Sequence, residues 1–109
     1  MPTLNKLAVA IDILREVDPE LQAQTLATLI EVARHPDGIK MQELAARVNI
    51  SQSSVSRNIS AMSHTHRVGK PGYNLVIAFE DPTERRRKIV RLTPNGQRLV
   101  KRLLAALES

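Results

Sequence analysis

Four consecutive basic residues, at positions 85–88, stand between two apolar segments in the last third of the chain. The flanking segments, Leu75–Phe79 and Ile89–Leu92, are rich in β-prone residues, and Asp-Pro-Thr at 81–83 supplies turn chemistry between them. Guanidinium and ammonium groups carried on a β-hairpin can contact phosphates or enter an electronegative groove. This pattern predicts a hairpin that binds a polyanion. The alternative is a solvated charge run that protects the edge of the hairpin.

A second polar group lies on a helix that follows a shorter helix and a turn, within residues 40–63. The buried stripe of this second helix is Val55, Ile59 and Met62. Hydroxyls suit phosphate contacts, whereas amide and guanidinium groups can read base edges in a major groove, and a helix N-terminus attracts phosphate. We therefore predict a helix-turn-helix, with a solvated helix that has no partner as the alternative. Its candidate contacts are Ser51, Gln52, Ser53, Ser54, Ser56 and Arg57.

Catalytic and metal chemistry find little support in the sequence. The histidines are His35, His64 and His66, and none has a nucleophile or carboxylate at a recognisable spacing. A His-x-His pair in a loop can hold a metal, but without further ligands it is commonly a solvated pair. The chain has no cysteine, which excludes thiolate sites and disulfides. We predict no enzyme activity, no cofactor and no metal.

Helical periodicity and turn signals predict the elements that position these groups. We expect a mainly α fold with a small β-hairpin, forming one domain over residues 1–109. Thr93 can cap the closing helix, with Pro94 at its first position. The expected parts are an N-terminal helix over 1–17, a second helix ending at the turn 35–38, the helix-turn-helix over 40–63, the hairpin over 75–92 and a C-terminal helix over 94–108.

The charge distribution points to duplex nucleic acid as the polyanion. Residues 1–50 carry five basic and seven acidic side chains, a net −2, and residues 51–109 carry eleven basic and four acidic ones, a net +7. Tyr73 and Phe79 are the only aromatic residues, so base stacking on single strands has little to build on. No apolar run spans a bilayer and no basic amphipathic helix is evident. We expect a cytoplasmic, nucleoid-associated protein without a membrane partner.

The order of a helix-turn-helix, a basic hairpin and a Thr-capped helix resembles the winged-helix domain of MarR-type transcriptional regulators. In that family the wing carries an acidic-x-x-acidic-Arg-type motif followed by LTxxG. The resemblance covers roughly residues 25–100 and implies that Arg85 or Arg86 enters a minor groove while the helix Gln52–Met62 reads the major groove. The matching residues in this chain are Asp81, Glu84, Arg85, Arg86, Leu92, Thr93 and Gly96.

Three features depart from the family pattern. Thr83 stands where another basic residue is common. The link His64–Asn74 is longer than usual, and its Arg67 and Lys70 can add backbone contacts. The chain ends after one C-terminal helix, whereas MarR-type proteins generally have two that form the dimer interface. A small-molecule effector is therefore possible but unsupported. The candidate contacts of the wing and its lead-in are Arg67, Lys70, Arg85, Arg86, Arg87 and Lys88.

The terminal helices carry more aliphatic surface than a small monomer needs, which favours a homodimer with the two helices as its interface. The alternative is that both stripes close the monomer core. We expect a homodimeric regulator, most simply a repressor, that binds an inverted repeat in double-stranded DNA. Alternatives are a plasmid or phage replication, segregation or DNA-packing protein, and a protein-interaction module. The predicted dimer contacts are Leu4, Leu7, Ile11, Leu14, Leu99, Leu103 and Leu107.

Overall fold

The computed structural model describes residues 1–64 and 71–108. This part of the chain forms five helices and three strands, so the prediction of a mainly α fold with a small hairpin is confirmed. The elements, in chain order, are α1 Pro2–Val17, α2 Ala23–Ala33, β1 Ile39–Lys40, α3 Met41–Val48, α4 Gln52–Met62, β2 Val76–Asp81, β3 Glu84–Leu92 and α5 Pro94–Glu108.

Two groups of helices make up the α part of the fold. Helix α1 packs along α5, and Glu16 and Arg102 form an ion pair of 2.9 Å between them. Helix α2 contacts α3, α4 and β3, and its Leu29 and Val32 are almost completely buried. The wide apolar arc of α2 therefore places it at the centre of the core beneath the helix-turn-helix.

The turn between α3 and α4 follows from residues that favour its backbone conformations. Asn49 ends α3 in the left-handed region with φ 60°, which asparagine tolerates better than most residues. Ser51 then caps α4, since its Oγ accepts a 3.1 Å hydrogen bond from the backbone N–H of Ser54. These two ends set the direction in which α4 leaves the core.

The strands form an antiparallel sheet in the order β1-β3-β2, as far as the described residues extend. Strand β1 pairs Ile39 with Val90, and β2 pairs Val76 with Leu92. Ile39, Val76 and Val90 are buried against the helices. The hairpin of β2 and β3, which we call the wing, is thus fixed to the core at its base.

At the far end of the wing the four basic residues lie on β3 and not in the turn. The turn itself is Pro82–Thr83, and β3 already begins at Glu84. Glu80 pairs with Lys88 but Asp81 pairs with Glu84, so three extra residues on β3 interrupt the regular pairing. Those three residues are Arg85–Arg87. A β-bulge interrupts the alternation of side chains between the two faces of a strand, so neighbouring side chains can project on the same side.

The junction between the wing and α5 explains the Leu-Thr-x-x-Gly sequence. Thr93 Oγ1 accepts a 3.0 Å hydrogen bond from the backbone N–H of Gly96, which confirms the predicted cap, and it donates to the carbonyl of Asn74 at 2.7 Å. A Cβ on Gly96 would lie 2.0 Å from the carbonyl oxygen of Leu75. Only glycine therefore lets α5 approach the start of β2 this closely.

Candidate nucleic-acid interface

A basic cleft, which we call the wing cleft, separates α3 and α4 from the wing. Its volume is about 410 Å³, and it opens to solvent between the start of α4 and the bulged part of β3. Elements that are distant in sequence meet here because β1 leads directly into α3 and pairs with β3. Its lining residues are Lys40, Met41, Gln42, Gln52, Ser56, Arg86, Arg87 and Lys88.

Within the described residues, the ionisable groups that line this cleft are all cationic. Lys40 comes from β1, while Arg86, Arg87 and Lys88 come from the wing, and all four are exposed. Gln52 and Ser56 lie on the opposite wall, on the outer face of α4. Four cations facing amide and hydroxyl groups across one cleft can bind an anionic chain and hydrogen-bond to it at the same time.

The two acidic residues of the wing have different roles. Glu84 Oε2 lies 3.7 Å from Arg87 Nε, and both side chains are about half exposed. A carboxylate at this distance can pair with the arginine and orient it. Asp81 does not pair in this way, because its Oδ1 accepts hydrogen bonds from the backbone N–H of Thr83 at 3.0 Å and from Thr83 Oγ1 at 2.8 Å. The hydrogen-bond partner of Asp81 is therefore Thr83.

Asp81 instead holds the tip of the wing in place. The two hydrogen bonds from Thr83, followed by the positive charges of Lys40 and Arg87, lower the pKa of the Asp81 carboxyl below its usual value. Thr83, which stands where a basic residue is common in the resembling family, thus has a structural partner here. Thr83 therefore contributes a contact within the turn at the tip of the wing.

The hydroxyl groups at the start of α4 form a connected network. Ser51 Oγ donates to Ser54 Oγ at 2.9 Å and lies 3.0 Å from Ser53 Oγ. Arg57 Nη2 donates to Ser54 Oγ at 3.1 Å, which holds the guanidinium along the helix surface. Ser51, Ser53 and Arg57 are exposed, whereas Ser54 is half-buried. The network orders the polar face of α4 before any ligand arrives.

The wing cleft contains some of the predicted contacts and adds others. Gln52, Ser56, Arg86, Arg87 and Lys88 are brought together, whereas Ser51, Ser53, Ser54, Arg57 and Arg85 lie outside its lining. Arg67 and Lys70 belong to 65–70, outside the described residues.

Lys40 and Gln42 were missed by the sequence analysis. Lys40 precedes α3 and was assigned no role there. The signal that could have identified it is its position in a short strand: pairing β1 with the basic strand β3 brings Lys40 opposite Ile89, next to Lys88.

The predicted dimer contacts fall into two groups. Leu14, Leu99 and Leu103 are buried inside the protomer, where α1 packs on α5, so for these three the alternative of closing the monomer core is correct. The remaining four are exposed although they are large and apolar. Their exposed fractions are 56% for Leu4, 48% for Leu7, 44% for Ile11 and 44% for Leu107.

A second cavity of about 540 Å³ lies between α1, α5 and the start of the wing. Its lining includes Val17 and Tyr73. Tyr73 donates a short hydrogen bond to Asp18 Oδ2, and the backbone N–H of Tyr73 donates to the carbonyl of Ala61 at 3.0 Å. The bond to Asp18 raises the pKa of Tyr73 to about 12 and lowers the pKa of Asp18. Tyr73 therefore connects the end of α1 with the end of α4.

Residues 1–64 and 71–108 contain no cluster of three or more histidine, cysteine, aspartate or glutamate residues that could hold a metal ion. His66, one member of the His-x-His pair, lies outside these ranges. No helix in the same two ranges combines the length and apolarity needed to cross a bilayer.

The helix-turn-helix, the wing and their common cleft define a winged-helix protein. Its fold is similar to that of the PcaV transcriptional regulator from Streptomyces coelicolor, solved with its natural ligand, at 26% identity and a TM-score of 0.62. It is also similar to MepR from S. aureus in complex with DNA, at 20% identity and a TM-score of 0.74. A MarR-family transcriptional regulator from Rhodococcus sp. RHA1 matches at 19% identity and a TM-score of 0.68.

These likenesses cover most of this chain but less of the proteins that it resembles. The PcaV match covers 82% of this chain and 57% of PcaV, the Rhodococcus match 94% and 65%, and the MepR match 89% and 71%. No protein-family model and no curated sequence matches the chain. PcaV and the Rhodococcus protein are transcriptional regulators, which supports the prediction that the chain is not an enzyme.

Proposed function

We propose that the protein binds double-stranded DNA in a sequence-specific manner as a homodimeric transcriptional regulator, acting most simply as a repressor that occludes a promoter. The wing cleft carries this proposal, because it combines four exposed cations with the polar face of α4. The DNA complex of the structurally similar MepR supports it. Duplex DNA is an intracellular ligand, so the site of action is the cytoplasm, at the nucleoid.

In the proposed complex the start of α4 lies in the major groove. Gln52 and Ser56 line the wing cleft, and Arg57 is exposed on the same helix, so these three side chains are the base-reading candidates. The hydroxyls of Ser51 and Ser53 lie beside the N-terminal N–H groups of α4, where phosphate is favoured. Ser54 has a smaller part, since its hydroxyl already accepts a hydrogen bond from Arg57.

The wing supplies the second set of contacts. Arg85 and Arg86 belong to the bulge and are exposed, which suits insertion into an adjacent minor groove. Arg87 and Lys88 line the wing cleft, and in the proposed complex they contact the phosphate backbone between the two grooves. Lys40 joins them from β1. Arg67 and Lys70 remain additional backbone candidates by charge alone.

The homodimer is proposed from the exposed apolar side chains of the terminal helices. Leu4, Leu7 and Ile11 of α1 and Leu107 of α5 are each more than two fifths exposed, and Leu104 of α5 is 49% exposed. Large aliphatic side chains of this kind are usually covered by a partner when they occur together. A two-fold dimer would present two copies of α4 to half-sites about 34 Å apart on an inverted repeat.

Selection of bound duplexes from a random pool, with the mass of the free protein measured in solution, tests the proposal. One recovered inverted repeat and the mass of a dimer would support it. A footprinting assay separates this proposal from its first alternative. Protection that spreads along the DNA or covers repeat arrays would favour a role in replication, segregation or packing. Absence of duplex binding at low salt would refute DNA binding and favour a protein-interaction module instead.

A further inference from the structure

The inner face of α4 contains an amide that ordinary core packing does not require. The buried residues of α4, all within the described part of the chain, are Val55, Asn58, Ile59 and Met62. Three of these are apolar, and Asn58 is only 8% exposed. A buried amide costs free energy unless it is hydrogen-bonded, so its position among aliphatic neighbours calls for specific partners.

The partners of Asn58 are two buried threonines of α2. Thr25 Oγ1 donates to Asn58 Oδ1 at 3.1 Å, and Asn58 Nδ2 donates to Thr28 Oγ1 at 3.4 Å. Thr28 Oγ1 in turn donates to the carbonyl of Gln24 at 2.9 Å. Because the hydroxyl proton of Thr28 is used on Gln24, its oxygen is left to accept from Asn58. The orientation of the amide is therefore determined by the chain of donors and acceptors.

This arrangement restricts a motion that apolar packing leaves open. Hydrophobic contacts are non-directional, so a stripe made only of Val55, Ile59 and Met62 would tolerate a small rotation of α4 about its axis. Two hydrogen bonds between one planar amide and α2, one accepted and one donated by Asn58, oppose that rotation. With an outer helix radius of about 5 to 6 Å, a rotation of about 10° displaces the polar face by about 1 Å, which is enough to misplace a recognition group.

We propose that Asn58 is a positioning residue that fixes the rotation of α4 and thereby the sequence selectivity of its outer face. This inference rests on the proposed function, since selectivity is a property of duplex binding. Arg57 and Ser56 precede Asn58 on the helix and lie on the exposed side, so they are displaced directly by any rotation. Phosphate contacts tolerate such a displacement better than base contacts, because they depend mainly on charge.

The test compares two substitution sets that differ in hydrogen bonding. The triple variant T25V/T28V/N58L replaces the polar groups with apolar side chains of similar size and leaves no unpaired donor. Its matched control, T25S/T28S, keeps both hydroxyls. We expect the triple variant to bind random duplex within about twofold of the wild type, while its preference for the selected duplex over random duplex falls about tenfold. The control should keep that preference within about twofold.

A milder variant guards against a folding defect. T28V removes the acceptor of Asn58 Nδ2 and the donor to the Gln24 carbonyl but leaves the bond from Thr25 to Asn58 in place. It should lower the preference about threefold. Cooperative thermal unfolding identifies which variants are folded. An unchanged preference in a folded variant of either kind overturns the inference while leaving the proposed function intact. Absence of duplex binding by the unsubstituted protein would instead overturn both, so the two failures are distinguishable.

Discussion

Replacing Lys40 with alanine gives a quantitative test of the wing cleft. Lys40 is exposed on β1 and contributes one of four cations to the cleft, the others being Arg86, Arg87 and Lys88. Each neutralised phosphate contributes about 0.9 to the slope of log affinity against log salt. With Lys40, Arg87 and Lys88 as the phosphate contacts of the cleft, three per protomer, the predicted slope for a dimer is about −5.

The Lys40→Ala variant loses two contacts per dimer, so its slope should fall in magnitude by about 2. When the salt concentration rises from 50 to 200 mM, the fold loss of affinity should therefore be roughly twelve times smaller for Lys40→Ala than for the wild type. The assay is fluorescence anisotropy of a labelled duplex, titrated at several salt concentrations within that range.

Arg102→Ala is the matched control, because it removes the same charge from α5. Arg102 pairs with Glu16 at 2.9 Å and does not line the wing cleft. Its slope should equal that of the wild type. A Lys40→Ala slope equal to the wild-type slope would refute the assignment of Lys40 to the phosphate contacts. An equal reduction in both variants would show that net charge, and not the cleft, determines the salt dependence.

Three further predictions concern base reading, packing and pH. Arg57→Ala should cost about 1 to 3 kcal/mol on the selected duplex and much less on random duplex; equal losses on both would exclude base reading. Gly96→Ala should lower the free energy of unfolding by about 3 kcal/mol, because its Cβ would lie 2.0 Å from the Leu75 oxygen; an unchanged urea midpoint would contradict this. Tyr73→Phe removes the bond that lowers the Asp18 pKa and raises the Tyr73 pKa to about 12. The wild type should therefore have the higher free energy of unfolding from about pH 5 to 9. The difference between the two proteins should shrink as the pH falls through the Asp18 pKa, below about 4, and as it rises from about 10 towards 12. A difference that does not depend on pH would count against that bond.

Local signals were sufficient to predict much of the fold. Ser51 and Thr93 cap helices in the structure as their residue types and positions indicated. Asn49 adopts at the end of α3 the left-handed conformation that asparagine tolerates better than most residues. Each of these features depends on a few consecutive residues, so the sequence alone contains the information that determines them.

Features that depend on contacts between distant segments were not predictable in the same way. The sequence could not assign Lys40 to the wing cleft, because that requires the pairing of β1 with β3. It also could not separate Leu14 and Leu103, which are buried between α1 and α5, from Leu7, which is exposed. Periodicity identifies an apolar stripe but does not show which of its members the same protomer covers. Asn58 was missed because its partners lie on α2.

The bulge in β3 separates the residues that attach the wing to the core from the residues that we propose to contact DNA. Val76–Phe79 pairs with Ile89–Leu92 in regular register, and the three arginines between Glu84 and Lys88 take no part in that pairing. Their number and chemistry can therefore change without shifting the apolar residues at the base of the wing from one face to the other. Insertions, deletions and substitutions within 85–87 offer a route by which the ligand preference of this chain can evolve while its core stays the same.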